Sequence, residues 1–125
     1  MAKLRSPTGC PWDREQSHLT LRRHAIEEVY ELIDAIESRD DIEMAEELGD
    51  LLLQVVFHCQ LARERGAFDF EKVCRVLMEK LIRRHPHVFG KAKVKLTQTP
   101  RAVTPFGGLA SFIAFLEQRD FARQL

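Results

Sequence analysis

Residues 41–65 read DIEMAEELGDLLLQVVFHCQLARER, and this stretch decides the fold. Met44, Leu48, Leu51, Leu52, Leu53, Val55, Val56, Phe57, Cys59 and Leu61 leave only a narrow polar strip on a helix. That strip is Glu43, Glu47, Asp50, Gln54 and His58, at steps of four, three, four and four. A helix apolar nearly all round belongs in the middle of a bundle. The helix is expected to run from an N-cap at Asp41 to about Arg65, with Gly66 in the left-handed position beyond its end.

Upstream, Ile26, Val29, Tyr30, Ile33 and Ile36 recur at helical steps and predict a helix from Thr20 to Ser38. The Arg39-Asp40-Asp41 corner ends it. Downstream, Asp69 reads as the N-cap of a third helix that stops near Arg84, because Pro86 forbids continuation. The lead-in, SPTGCPWDREQSH at residues 6–18, reads as a structured loop holding the chain's one tryptophan. No strand pattern competes up to residue 90. Short connections predict an all-α antiparallel helical bundle. The apolar sectors left open on so small a domain call for a partner, most simply a second copy.

Eleven acidic residues lie between Glu27 and Asp50, with Arg39 as the one base. Four of them form turn-spaced pairs, Glu28–Glu31 and Glu47–Asp50, each interrupting an apolar face. Two carboxylates 4 Å apart repel by roughly 4 kcal/mol in a medium of intermediate dielectric. Divalent cations with oxygen ligands remove that cost, and oxygen-only donors favour Mg²⁺ or Mn²⁺. The bland alternative, two acidic solvated helix faces, explains one such pair better than two on adjacent helices. A ferritin-like di-iron site needs Glu-x-x-His pairs, and none is expected from the five histidines.

Lys72 to Lys95 carries eight bases against the single acid Glu79. Within it, Lys80, Arg83 and Arg84 share the last turns of a helix, where they can meet an anion or complement the helix dipole. Trp12, in Gly9-Cys10-Pro11-Trp12-Asp13, can stack on a base or close the end of the core. Net charge is zero, 19 acids against 19 bases, and the basic residues are too few for a nucleic-acid surface. Cys10, Cys59 and Cys74 form no C-x-x-C pair. No signal-peptide core or membrane-length apolar run occurs, so a cytoplasmic protein is expected. No P-loop or dinucleotide-binding turn is present.

GCPWDREQSH at 9–18, EEVYE at 27–31, EELGD at 46–50 followed by LLLQVVFH, and EKLIRRHPHVFG at 79–90 resemble MazG-type nucleoside triphosphate pyrophosphohydrolases. The resemblance covers about residues 4 to 90. It implies an all-α domain, completed by dimerisation or higher homo-oligomer formation, that cleaves nucleoside triphosphates between the α and β phosphates. It further implies Glu28, Glu31, Glu47 and Asp50 as Mg²⁺ ligands, and Lys80 and Arg84, with Arg83 beside them, as triphosphate contacts. Glu27 would orient or deprotonate the attacking water. Two departures stand within or beside the motifs: His24 where relatives usually carry tyrosine, and Lys91 where an acid is usual. Residues 91–125 do not resemble the family's final helix, so residues 1–90 are expected to form the catalytic module and 91–125 a divergent tail. A catalytically weak helical dimer that binds nucleotide or a protein partner is the alternative.

Overall fold

The computed structural model describes residues 1–90; the tail lies outside the described residues. It divides into two compact units, Met1–Ala67 and a second that begins at Phe68, and each is treated by itself. Every regular element among the described residues is helical.

In the first unit, α1 spans Pro11–Glu15, α2 Arg22–Ser38 and α3 Asp41–Glu64. The short α1 falls within the lead-in expected to be a loop. Pro11 occupies its first turn, where a missing N–H costs nothing. α2 begins two residues later than periodicity predicts, because Thr20 is held in a turn: its hydroxyl oxygen accepts from the Ser17 N–H at 2.8 Å. α2 ends at Arg39, which takes left-handed angles (φ 58°, ψ 34°) and donates its N–H back to Ala35 and Ile36. The N-cap of α3 is Asp40 rather than the expected Asp41. Asp40 is extended, and its carboxylate accepts from the N–H groups of Ile42 and Glu43 at 3.0 and 3.1 Å. Gly66 carries the positive φ (70°) expected beyond the C-terminus of α3.

Packing in the first unit centres on Leu21, Phe57 and Leu61, with Met1 laid against them. Ala35 and Ala62 are fully enclosed, and small side chains at such places let α2 and α3 approach closely. The apolar stripe of α2 faces outward instead: Ile26 is 58% and Tyr30 66% exposed, and Val29 and Ile33 are also open. On α3, Leu48, Leu52, Leu53 and Val55 are exposed, so the helix is not enclosed as its composition predicts.

Arg5 ties the lead-in to α3. Its guanidinium donates to both carboxylate oxygens of Glu64 at 2.8 Å and lies over the Phe57 ring, 5.8 Å from its centre. The same group donates to the carbonyls of Asp13 and Gln16, within and just past α1. Glu64 is consequently held below the usual carboxylate range, chiefly by the Arg5 hydrogen bonds. Gly9 lies so close to residues 3 and 4 that a Cβ there would collide with the Leu4 carbonyl. The Cys10 N–H donates to that same carbonyl at 2.8 Å.

In the second unit, α4 spans Phe70–Arg84 and α5 Pro86–Phe89. Asp69 caps α4 as expected, accepting from the Lys72 N–H at 2.9 Å. Pro86 stops α4 and opens the single turn α5, which sequence periodicity did not announce. Cys74, Met78 and Phe89 are buried. Removing the paired guanidinium (Arg5→Ala) should destabilise the protein by about 2 kcal/mol, the scale of hydrogen bonds made to a charged partner. Urea denaturation monitored by Trp12 fluorescence measures it, and an unchanged midpoint would contradict the anchoring role.

Candidate functional site

The Arg39-Asp40 corner folds α2 back along α3 and thereby sets which side chains face each other. Glu28 lies eleven residues before Arg39 (39 − 28) and Asp50 ten after Asp40 (50 − 40), so they stand at one level of the hairpin. Glu31 and Glu47 do the same one turn nearer the corner, at eight (39 − 31) and seven (47 − 40) residues. The two turn-spaced pairs thus confront each other across the helix interface.

Oxygens of Glu28, Glu47 and Asp50 lie within 4.8 Å of one another. Glu28 and Glu47 are half-buried and Asp50 is exposed. Glu31, expected as the fourth member, is exposed and stands outside this trio, although its charge acts on both glutamates. Burial pushes the Glu28 carboxyl up, and the charges of Asp50 and Glu31 push it further; His24 partly opposes this. Glu47 is also raised, first by burial and then by Glu31, Asp50, Glu28 and Glu43. One Glu47 oxygen, Oε2, is buried with no hydrogen-bond partner.

Among the described residues the ion pairs are Arg5–Glu64, His24–Glu27 and Arg75–Glu71, none of which neutralises the trio. Three converging carboxylates, one with an orphaned oxygen and none in an ion pair among the described residues, have the chemistry of a hard divalent-cation site. Mg²⁺ or Mn²⁺ fits this donor set.

The rest of the α3 polar strip is divided. Gln54 is buried and Glu43 exposed. His58 is half-buried and stacks on His18, with Nδ1 atoms 2.7 Å apart and rings 5.0 Å apart; burial and this neighbour lower its basicity. Contrary to expectation, one Glu-x-x-His spacing exists, Glu15 to His18, but Glu15 ends α1 and His18 lies beyond it with its Nδ1 2.7 Å from that of His58, so the two do not share a helix face.

Glu27 is exposed on α2 and has the Nδ1 of His24 3.2 Å from its Oε2. Sequence reasoning noted His24 only as a departure from tyrosine. Its i, i+3 spacing from Glu27 was the signal that could have found the pair. Trp12 sits on α1 edge-on to His24 and Phe57, at 5.7 and 6.4 Å between ring centres. It covers part of the core and remains 51% exposed. In the second unit, Lys80, Arg83 and Arg84 are exposed along the last turns of α4. His85 Nδ1 donates to the Leu81 carbonyl at 2.8 Å, and its ring centre lies 5.8 Å from that of His87.

Residues 16–89 match the model of the MazG nucleotide pyrophosphohydrolase domain. The chain belongs to the MazG family. Over 90 residues it is 68% identical to the nucleoside triphosphate pyrophosphohydrolase/pyrophosphatase MazG of Thermotoga maritima, covering 72% of this chain and 35% of that protein. Over 96 residues it is 49% identical to the nucleoside triphosphate pyrophosphohydrolase of Escherichia coli K12, covering 76% and 36%. It is also 50% identical over 93 residues to the uncharacterised YabN protein of Bacillus subtilis, covering 74% and 19%. The chain therefore spans about a third or less of the length of these curated relatives.

The raised carboxyls make a pH prediction. Their stabilising contribution is fully present below the ordinary carboxylate range and is lost as pH rises through the raised values. Metal-free Glu47→Gln should therefore melt above the wild type at pH 7.5, and the difference should shrink toward pH 4. Added Mg²⁺ should raise the wild-type Tm more than that of the variant. A Tm difference independent of both pH and Mg²⁺ would dissociate Glu47 from a charged cluster.

Proposed function

We propose that this MazG-family chain hydrolyses nucleoside triphosphates, ribo or deoxy, between the α and β phosphates, releasing nucleoside monophosphate and pyrophosphate. Clearance of the nucleotide pool is the corresponding role, and residues 1–90 are the module that performs it. The observation that carries this reading is the Glu28–Glu47–Asp50 trio, without an ion-pair partner among the described residues, in a family of which the Thermotoga maritima and Escherichia coli relatives carry nucleoside triphosphate pyrophosphohydrolase in their names. Glu28, Glu47 and Asp50, joined by Glu31, would hold Mg²⁺, with Mn²⁺ as a substitute. Bound there, Mg²⁺ supplies polarisation of phosphoryl oxygens and a lowered pKa for attached water.

The protein's own groups do the rest. Glu27, beside the trio and open to solvent, accepts the proton of the attacking water. Lys80 and Arg84, with Arg83 adjacent, offset the charge of the triphosphate chain, and Trp12 contributes to nucleoside binding. Holding nucleophile and phosphate in line accounts for much of the acceleration in such transfers.

The decisive assay incubates the protein with single NTPs and dNTPs plus Mg²⁺ and identifies the products. Monophosphate with pyrophosphate is expected, and Glu47→Gln or Asp50→Asn should abolish turnover while keeping the helical circular dichroism. Diphosphate with phosphate would reassign the bond cleaved. Metal-dependent binding without turnover would favour the catalytically weak nucleotide-binding dimer.

The same reading includes a homodimer or higher homo-oligomer. Ile26, Val29, Tyr30 and Ile33 form an outward apolar stripe on α2 of the kind that soluble chains cover. Among the described residues no helix is long and apolar enough to cross a membrane, in keeping with the proposed cytoplasmic setting. Neither a nucleic acid nor a membrane is among the proposed partners. Ile33→Asp should shift the protein toward monomer in sedimentation velocity. An unchanged sedimentation coefficient would remove this stripe from the interface.

A further inference from the structure

His24 and Glu27 stand one turn apart near the start of α2, with Nδ1 of the ring 3.2 Å from Oε2 of the carboxylate. The nitrogen that faces a carboxylate carries the ring proton, so Nδ1–H donates to Oε2 whether the imidazole is neutral or charged. His24 is half-buried and Glu27 exposed, and a pair this open to water adds little to stability. Its consequence is where it places an oxygen, not how firmly it holds the fold.

His24 is itself held from the other side. The Trp12 ring meets it edge-on, 5.7 Å between centres, and Trp12 in turn lies 6.4 Å from the buried ring of Phe57. Gln16 Nε2 donates to the Trp12 carbonyl at 2.9 Å. A line of contacts thus runs from the core of the first unit through Trp12 and His24 to Glu27. Histidine suits the end of that line because Nδ1 is bonded directly to Cγ, close to the backbone and within reach of a carboxylate one turn on. A leucine offers no donor there, and a tyrosine carries its hydroxyl at the far end of the ring.

Glu27 directly precedes Glu28 of the trio and is the group to which the proposed reaction gives the proton of the attacking water. A glutamate free in solvent samples many rotamers, whereas a base must stand within hydrogen-bond reach of the water it deprotonates. With Oε2 engaged by Nδ1, the other oxygen, Oε1, is left to accept from water.

We propose that His24 is a positioning residue for Glu27: its Nδ1–H holds Oε2 and so aims Oε1 at the attacking water. This rests on the hydrolysis reading above and adds to it the residue that orients the base.

Two measurements test it. In metal-free protein at mildly alkaline pH, ¹⁵N NMR of the His24 ring, assigned by its loss in His24→Asn, should show the proton on Nδ1, and Glu27→Ala should move it toward Nε2. A wild-type ring protonated at Nε2 would overturn the contact whatever the activity. With nucleoside triphosphate and Mg²⁺, His24→Leu should lower kcat by about three-fold to ten-fold, the worth of one hydrogen bond, with KM and the Mg²⁺ concentration for half-maximal rate unchanged. His24→Asn, whose amide nitrogen takes the place of Nδ1, should recover most of that loss. Added to Glu27→Gln, His24→Leu should cost nothing further, because the two act as one unit.

A fall in rate cured by more Mg²⁺ would mean that His24 acts on Glu28 instead, and equal losses in the Leu and Asn variants would reduce it to packing. Either result would overturn the proposal. A wild type that releases no monophosphate and pyrophosphate would remove the hydrolysis reading and this inference with it. Normal hydrolysis with an unaltered kcat in His24→Leu would remove the inference alone.

Discussion

Repulsion between carboxylates across the α2–α3 interface is the constraint around which the first unit is organised. The corner at Arg39 and Asp40 fixes the register, so that Glu28 meets Asp50 and Glu31 meets Glu47. A one-residue slip would rotate either helix by about 100° and scatter the set. The left-handed Arg39 and the capping carboxylate of Asp40 are thus as much part of the site as the acids themselves. Burial of Leu21, Phe57, Leu61 and the two alanines supplies the attraction that holds like charges together.

A second anchor sits at the far end of α3. Arg5 reaches Glu64, Phe57 and the carbonyls of α1 at once, and Gly9 allows the close backbone crossing that brings Arg5 there. The Gly-Cys-Pro-Trp-Asp segment therefore has a separable logic. Glycine permits the crossing, proline starts the short helix, and tryptophan rides on it against α2 and α3.

The main helices were legible because their periods and caps are local signals. Asp69 needs only its own neighbours to be recognised as a cap, and Pro86 forbids helix continuation wherever it stands. Choosing between Asp40 and Asp41 is harder, since both are good caps and only the backbone angles at the corner decide. The outward stripe of Ile26, Val29, Tyr30 and Ile33 shows a different gap. Periodicity reports that a face is apolar but not whether it is covered by the same chain. Glu28, Glu47 and Asp50 could be foreseen from helical spacing on adjacent helices. The place of Glu31 outside the trio depends on where its carboxylate reaches, which spacing does not contain. The Trp12–His24 contact links residues from separate elements and has no signature along the chain.

The donor set also bears on how a cation would be held. Two half-buried glutamates and an exposed aspartate form a partial shell, far from the full set of six oxygens that octahedral Mg²⁺ requires. The remaining positions must be filled by water or by ligand oxygens. Mg²⁺ sheds water reluctantly and is commonly held by a few carboxylates together with substrate phosphates. Under the proposed function, an incomplete protein shell would couple metal and triphosphate affinity, because each would supply what the other lacks. The unpartnered Oε2 of Glu47 is the point at which this coupling is strongest: buried without a donor, it gains most when a cation arrives. Under the proposed function, the same charge that burdens the free protein would favour a metal-bound polyphosphate.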